Sequence, residues 1–156
     1  MKKINVFLMF NDQAEEAVKF YTSVFHNSKQ LSTVDFGDNG SGTKMAGGTI
    51  EIGGLQLMAM NGGPYFTFSE GMSLFVNCDT QEEIDELWEK LSEGGEKQQC
   101  GWLKDKFGVS WQIVPAVLNK MVQDPVRSKN VMDALLKMSK LEIKKLQEAY
   151  DSAGVS

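Results

Sequence analysis

Histidine and cysteine are both scarce in this sequence of 156 residues, which contains one histidine, His26, and two cysteines, Cys78 and Cys100. A zinc or iron site is built from several imidazole or thiolate ligands, so this scarcity nearly excludes such a site. The two cysteines form no C-x-x-C unit, and two reduced thiols are favoured over a disulfide. Ligand binding, or chemistry carried by carboxylates, amides and the backbone, remains open.

Excess positive charge and long apolar runs are missing as well. With 21 acidic and 16 basic residues the net charge is -5, which gives no electrostatic footprint for nucleic acid or an anionic membrane. No segment approaches the roughly 20 apolar residues that cross a bilayer. The apolar start of the chain is interrupted at Asn11 and Asp12 and lacks a small-residue cleavage site, unlike a signal peptide. We therefore expect a cytoplasmic protein that binds neither nucleic acid nor membrane.

The hydrophobic pattern predicts an α+β fold. The apolar segment 4–10 is typical of a buried strand, and Asp12, three residues before Glu15, predicts the cap of an amphipathic helix. Glycine-rich turns then separate three predicted strands, over residues 30–36, 44–52 and 55–60.

The same order of elements occurs a second time. Val6 of the first strand corresponds to Leu74, and Asp12 before the first helix corresponds to Asp79 before the second. This duplication predicts two βαβββ modules, each with a helix on one face of its sheet, so the other face needs a second covering layer. The modules would span residues 1–115 (1–61 and 71–115, with the loop 62–70), and 116–156 would be a C-terminal helical extension of the same domain.

Three segments carry a resemblance to a known superfamily. Residues 11–25, which begin Asn11-Asp12 and carry Glu15-Glu16, resemble the first helix of vicinal-oxygen-chelate proteins, the glyoxalase, bleomycin-resistance and dioxygenase relatives. Residues 101–115 resemble the PhnB-like branch, often labelled 3-demethylubiquinone-9 3-methyltransferase-like. The segment 123–125, followed by a helix bearing methionine and lysine, is similar to that branch too.

The resemblance implies two sheets that curl into a mixed half-barrel around a central pocket, in a homodimer. It also implies four metal-ligand positions, which map by motif onto Asn5 for the first strand, Gln56 for the fourth, Ser73 (or Met72) for the fifth and Gln112 for the eighth. These side chains are neutral amides and a hydroxyl, which supply no anionic charge to offset a divalent cation. We therefore predict that the metal site is lost and that the protein uses no cofactor.

The methyltransferase label has a physical requirement of its own. Enzymes that use S-adenosylmethionine commonly place a glycine-rich turn between a strand and a helix. The glycine pairs Gly47-Gly48, Gly53-Gly54 and Gly62-Gly63 lie within strands, between strands or at the start of a loop. Methyltransferase activity is therefore not supported, and whether the protein catalyses any reaction stays open.

Strand alternation predicts which side chains line the pocket. On the first strand Asn5, Phe7 and Met9 share one face, while Ile4, Val6, Leu8 and Phe10 should lie under the helix. On the last strand Ser110, Gln112 and Val114 should face inward. The predicted ligand-binding residues are Asn5, Phe7, Gln56, Met58, Ser73, Phe75, Trp102 and Gln112.

Three functional hypotheses remain. The first is a protein that binds a small organic ligand in a metal-free pocket. The second is a metal-dependent enzyme of the glyoxalase or dioxygenase type, with an unusual ligand set that includes Glu51. The third is a dimeric structural module without a ligand. Asp105 is interpreted as a turn residue, and the aromatics Tyr65, Phe66 and Phe68 would cover a ligand or form a dimer interface.

Overall fold

The fold is described for residues 2–153 by a computed structural model. The chain forms two compact units, of which the first ends at Thr67 and the second begins at Phe68. The first unit contains β1 (Val6–Phe10), α1 (Ala14–Val24), β2 (Ser28–Asp38), β3 (Lys44–Ile52) and β4 (Leu55–Asn61). The second contains β5 (Leu74–Cys78), α2 (Gln81–Ser92), β6 (Glu96–Lys97), β7 (Trp102–Lys104), β8 (Ser110–Pro115), α3 (Leu118–Met121), α4 (Ser128–Leu135) and α5 (Ile143–Ser152).

Each unit contains one four-stranded mixed sheet, and the two sheets have the same topology. The strand order is β1-β4-β3-β2 in the first and β5-β8-β7-β6 in the second. The outer pairs β1/β4 and β5/β8 are parallel, while the remaining neighbours are antiparallel. The predicted α+β fold with duplicated βαβββ units is confirmed, and β1 and β5 start at Val6 and Leu74, the two residues paired from the sequence.

A helix covers one face of each sheet. The apolar stripe of α1 is buried, as are the β1 side chains Leu8 and Phe10 that alternation places on the same side. In the second unit α2 buries a matching stripe, and Trp111 and Ile113 of β8 are buried. We call the opposite side of each sheet its open face. None of the described helices is long and apolar enough to cross a membrane.

Two sequence expectations for the first module are wrong. Ile4 does not lie under α1, because β1 begins only at Val6 and Ile4 is 87% exposed. Asp12 is not the cap of α1, whose N-cap position is Gln13 without a side-chain hydrogen bond. The acceptor comes instead from Asn61, at the end of β4, whose Oδ1 accepts the Ala14 N–H at 2.7 Å.

The cap of the second helix follows the sequence pattern more closely. Thr80 is the N-cap of α2, and its hydroxyl accepts the Glu83 N–H at 3.2 Å. The Glu83 carboxylate in turn accepts the Asp79 N–H at 2.8 Å. The arrangement resembles a capping box, except that Glu83 accepts the N–H of the residue before the N-cap, so α2 is capped by residues next to it in sequence.

The C-terminal helices belong to the second unit and cover one end of its open face. Val114 of β8, which lies on the same face as Gln112, is buried in an apolar cluster with residues of these helices and of the α4–α5 connection: Met121, Val131, Leu135, Met138, Leu141 and Leu146. The peptide N–H groups of Cys100 and Gly101 donate to the carbonyls of Met138 and Ser139, both at 2.8 Å. Apolar packing therefore holds the helices against the sheet, and backbone hydrogen bonds tie the α4–α5 connection to the β6–β7 turn.

Candidate functional site

The open face of the first sheet is ordered in rows by strand register. Phe7 of β1 pairs with Met58 of β4, and Met58 pairs with Thr49 of β3. The row before it begins with Asn5, which precedes Val6, the register partner of Leu57. That row continues with Gln56, which pairs with Glu51, and Glu51 pairs with Lys29. One row is therefore polar and the next combines an aromatic ring with a thioether.

The backbone of Lys2 holds both amides of the polar row. Asn5 Nδ2 donates to the Lys2 carbonyl at 2.8 Å, and Gln56 Oε1 accepts the Lys2 N–H at 3.3 Å. The Lys2 ammonium donates to the carbonyl of Gly54 in the β3–β4 turn. Sequence reasoning missed Lys2, because no periodicity or motif marks a residue that acts through its peptide group.

One atom of this network is left without a partner. Asn5 Oδ1 is buried and has no hydrogen-bond partner among the described residues. An unmet buried acceptor costs about 1–3 kcal/mol in stability. Two residues further along the chain, Phe7 of β1 is 51% exposed. A buried acceptor oxygen without a partner therefore lies two residues before an accessible aromatic side chain.

Glu51 is the only carboxylate in the two described rows. Its oxygen lies 3.8 Å from Lys29 Nζ, which is an ion pair but is longer than a hydrogen bond. Both side chains are partly exposed, so the pair contributes little to stability. Glu51 thus retains acceptor capacity on the open face.

The four predicted residues of the second sheet share its open face. Phe75 pairs with Gln112 across β5 and β8, and Gln112 pairs with Trp102 across β8 and β7. Gln112 Nε2 donates to Ser73 Oγ at 2.9 Å. Of the two residues that motif alignment offered for the fifth-strand position, Ser73 is the one in contact with Gln112, whereas Met72 is exposed.

The two sheets also reveal which residue of the first corresponds to Gln112. Phe7 and Phe75 are the second residues of the equivalent strands β1 and β5, and their register partners are Met58 and Gln112. By the same register Gln56 corresponds to Ser110. The fourth-strand position matching Gln112 is therefore Met58, a thioether, rather than the amide predicted from the motif.

Asp105 holds a turn together and has no atom left for the open face. Its Oδ1 accepts the N–H groups of Phe107 and Val109 at 2.9 and 3.0 Å, and its Oδ2 accepts the indole N–H of Trp111 at 2.8 Å. The carboxylate is buried, and Trp111 lies on the helix side of the sheet. This geometry is that of the turn residue expected from the sequence.

The thiols offer no nucleophile on either open face. Cys78 is buried at the end of β5, and burial, followed by the charges of Glu83 and Asp79, raises its pKa to about 12. Cys100 is partly exposed in the turn between β6 and β7. His26 is exposed, two residues beyond α1.

The positions that the resemblance assigns to metal ligands do not fit a divalent ion here. With the fourth-strand residue taken from the strand register as Met58, they carry Asn5, Met58, Ser73 and Gln112, which are all neutral. The amide N–H groups of Asn5 and Gln112 are directed to the Lys2 carbonyl and to Ser73, and a thioether is a poor ligand for hard cations. The part of the chain that the structure describes holds no group of three or more histidine, cysteine or acidic residues that could hold a metal.

Known proteins similar to this chain share its fold. A family model described as 3-demethylubiquinone-9 3-methyltransferase matches residues 2–114. A putative 3-demethylubiquinone-9 3-methyltransferase, PhnB protein, from Bacillus cereus is 39% identical, with a TM-score of 0.67, and the match covers 74% of this chain and 100% of that one. Protein PA1353 from Pseudomonas aeruginosa is 26% identical, with a TM-score of 0.61, over 71% of this chain and 95% of that one.

A more distant similarity extends to a fosfomycin resistance protein. A FosX structure from Listeria monocytogenes, complexed with Mn(II) and 1S,2S-dihydroxypropylphosphonic acid, is 17% identical, with a TM-score of 0.50. The match covers 74% of this chain and 94% of that one and shows a common fold alone. No curated protein matches the chain significantly. The family model and the sheet topology together show that this chain belongs to the 3-demethylubiquinone-9 3-methyltransferase-like, or PhnB-like, family of the vicinal-oxygen-chelate superfamily.

Proposed function

We propose that this protein binds a small organic molecule without a metal ion, through side chains of its open sheet faces. One observation carries the proposal: each open face combines an accessible phenylalanine with amide or hydroxyl groups. Phe7 and Phe75 occupy equivalent positions and are 51% and 48% exposed. An apolar surface with a few placed polar groups is typical of small-molecule sites.

The donor chemistry of the family's metal positions supports binding without a metal. A divalent cation needs anionic or imidazole ligands to offset the loss of its hydration shell. Asn5 and Gln112 offer only amide oxygens, and Met58 offers a thioether. These groups suit hydrogen bonds and apolar contacts with an organic ligand.

The residues do not support the methyltransferase activity in the family's descriptive name. The described connections that lead from a strand into a helix, residues 11–13, 79–80 and 116–117, contain no glycine. A glycine-rich turn at such a connection is what lets the backbone approach S-adenosylmethionine in the common fold of these enzymes. We therefore favour a binding function over methyl transfer.

A metal-dependent reaction that uses Glu51 is the alternative with a structural observation in its favour. Glu51 lies on the open face and pairs with Gln56, so a carboxylate does occur close to the predicted ligand positions. Lys29 competes for this carboxylate at 3.8 Å. A structural module filled by its own side chains agrees less well with the exposure of Phe7 and Phe75, because such filling would bury both rings.

Metal content and ligand-induced stabilisation test the proposal together. Protein purified without chelator should contain far less than one divalent ion per chain, and EDTA should leave its Tm unchanged. A ligand at 100 times its Kd should stabilise the fold by about 2.7 kcal/mol, which corresponds to a rise in Tm of about 5–10 °C. The Glu51→Gln variant should behave like the wild type in the metal assay.

The proposal fails if the protein holds close to one divalent ion per chain and the Glu51→Gln variant loses it. That result would instead establish the metal-dependent alternative. A small-molecule library that raises the Tm of neither the wild type nor the Glu51→Gln variant would also sink the binding proposal and favour the structural module.

We further propose that the protein is a homodimer, as the family resemblance implies. Exposed apolar side chains of the first unit, such as Phe36 and Tyr65, are available to an interface. Sedimentation equilibrium should give twice the chain mass. A monomer at all concentrations would refute the dimer without touching the ligand proposal.

A further inference from the structure

The turn between β2 and β3 contains an exposed asparagine that is followed by a glycine. Asn39 is the first residue after β2, and both it and Gly40 are exposed to water. In such a pair the backbone nitrogen of the glycine can attack the side-chain carbonyl carbon of the asparagine and close a five-membered ring. Glycine favours this attack because it has no side chain to hinder the approach. The turn therefore contains a sequence pair that can lose an amide group without an enzyme.

Asp38 places a base at the attacking nitrogen. Its Oδ1 accepts the Gly40 N–H at 2.6 Å. A peptide nitrogen becomes a nucleophile as it gives up its proton, and a general base acts from hydrogen-bonding distance, about 2.6–3.2 Å. The same oxygen also accepts the Gly42 N–H at 3.3 Å, which holds the carboxylate on the turn. The group that would receive the proton is therefore already in contact with it.

The oxygen that gains charge in this attack is surrounded by hydrogen-bond donors. Asn39 Oδ1 accepts the N–H and the hydroxyl of Ser41 at 2.9 and 2.6 Å, and the Thr43 N–H at 3.2 Å. When the Gly40 nitrogen adds to the side-chain carbon, this oxygen becomes an oxyanion. Donors that already point at it stabilise the transition state. The turn thus combines the nucleophile, a base and an oxyanion site.

The sequence contains a second Asn-Gly pair, Asn61-Gly62, whose surroundings are different. Asn61 is 2% exposed, and its amide bonds to Ala14 and Lys44 at its two ends. The Gly62 N–H donates to the backbone carbonyl of Phe10 at 2.8 Å, and a peptide carbonyl is no base for this proton. The folded chain therefore carries its own reference site, with the same residue pair but without the base or access to water.

We infer that Asn39 deamidates in the folded protein, with Asp38 as the general base. The Gly40 nitrogen forms a bond to the side-chain carbon of Asn39 while its proton passes to the Asp38 carboxylate. The bond from that carbon to Nδ2 then breaks, the proton moves to the leaving nitrogen, and ammonia departs from a cyclic succinimide. Water adds to either carbonyl carbon of the ring, and the ring nitrogen takes up a proton as its bond to that carbon breaks. The product is aspartate or isoaspartate at position 39, with one more negative charge.

Incubation of the folded protein near neutral pH, followed by digestion and peptide mass spectrometry, measures the conversion at both sites. We expect aspartate and isoaspartate to accumulate at position 39 while Asn61 remains an amide. In guanidinium chloride both pairs are exposed and flexible, so Asn61 should convert as well. Asn39 should convert more slowly in the denatured chain than in the folded protein, because unfolding removes the base and the oxyanion site.

Asp38→Asn separates the chemical role of Asp38 from its role in the turn. Its amide oxygen can still accept the Gly40 N–H but cannot take the proton, so conversion at Asn39 should slow at least about tenfold. Asp35→Asn is the matched control, because Asp35 is an exposed carboxylate of the same hairpin that accepts the Gly37 N–H instead. It should keep the wild-type rate. Ser41→Ala removes the hydroxyl donor and should slow the conversion severalfold.

Two results would overturn the inference. Slower conversion of Asn39 in the folded protein than in the denatured chain would show that the turn protects the amide. Equal rates in the wild type and Asp38→Asn would show that Asp38 is not the base. If Asp38→Asn changes the far-UV circular dichroism spectrum, the comparison of folded with denatured wild type decides by itself. The reaction involves no ligand, so its failure leaves the proposed binding function intact.

Discussion

Replacing Asn61 by alanine should destabilise the first unit far more than the loss of an ordinary helix cap. Asn61 is only 2% exposed, and its side chain connects two elements. Its Oδ1 accepts the Ala14 N–H of α1 at 2.7 Å, and its Nδ2 donates to the carbonyl of Lys44, the first residue of β3, at 3.1 Å. Alanine can form neither bond.

The expected cost is about 3 kcal/mol. Loss of a cap usually costs about 1 kcal/mol. The Ala14 N–H is itself buried, so leaving it without an acceptor adds about 1–3 kcal/mol. Lys44 is exposed, so water can satisfy its carbonyl and this bond adds little.

Thr80→Ala provides the matched control in the second unit. Thr80 caps α2 through the Glu83 N–H, but it is exposed, so its loss should cost only about 1 kcal/mol. Asn61→Asp should fall between the two alanine variants. It keeps the acceptor and places a negative charge at the N-terminus of α1, but it loses the donor to Lys44.

The free energies of unfolding of the wild type and the three variants are measured by urea unfolding, followed by far-UV circular dichroism and analysed by linear extrapolation. Equal decreases in the free energy of unfolding for Asn61→Ala and Thr80→Ala would show that the Ala14 N–H finds another acceptor, and the reasoning would be wrong. It would also be wrong if Asn61→Asp destabilised the protein as much as Asn61→Ala, because the aspartate keeps the acceptor.

Three further predictions concern buried positions. Because burial raises the pKa of Cys78 to about 12 from an ordinary value near 9, only the unfolded thiol loses its proton as pH rises above about 9, so folding stability should fall there. The difference in free energy of unfolding between the wild type and Cys78→Ala should then decrease by up to about 1.4 kcal/mol per pH unit above pH 9. At pH 8 a disulfide reagent should modify Cys100, and it should modify Cys78 only after the protein is unfolded. Gly47→Ala should cost about 3 kcal/mol or prevent folding, because its Cβ would lie 1.9 Å from the carbonyl oxygen of Ala59 and β3 would have to move from β4; an unchanged urea midpoint would refute this. Asp105→Asn should cost about 2–3 kcal/mol, since one carboxylate serves three N–H donors and an amide oxygen cannot; a thermal melt within 1 °C of the wild type, roughly the limit set by a few tenths of a kcal/mol, would contradict it.

The fold was predictable because its signals are local and are repeated. Alternation along β1 and the helical stripe of α1 each depend on neighbouring residues, and both recur in β5 and α2 of the second unit. The open-face positions of Phe7, Phe75 and Gln112 follow from the same alternation. Their register partners Met58 and Trp102 were also placed on these faces from the sequence.

Other features depended on residues that are distant in sequence. The cap of α1 could not be read from Asp12, because the acceptor comes from Asn61, 47 residues after Ala14. The fourth-strand position was assigned to Gln56, since a motif aligns residue types, whereas the register of β1 with β4 selects Met58. The contact of Val114 with the C-terminal helices had no sequence signal either.

The sequence by itself determined the duplicated α+β fold, the family and the scarcity of metal ligands, because composition, periodicity and motif order are properties of the chain. Only the tertiary structure decided which polar atoms lack a hydrogen-bond partner. Asn5 Oδ1 lacks a partner because the Lys2 peptide occupies the other end of the same amide, and Asp105 is committed because three N–H groups converge on it. Hydrogen bonding is a property of atoms brought together by folding, so the chemistry available to a ligand became visible only there.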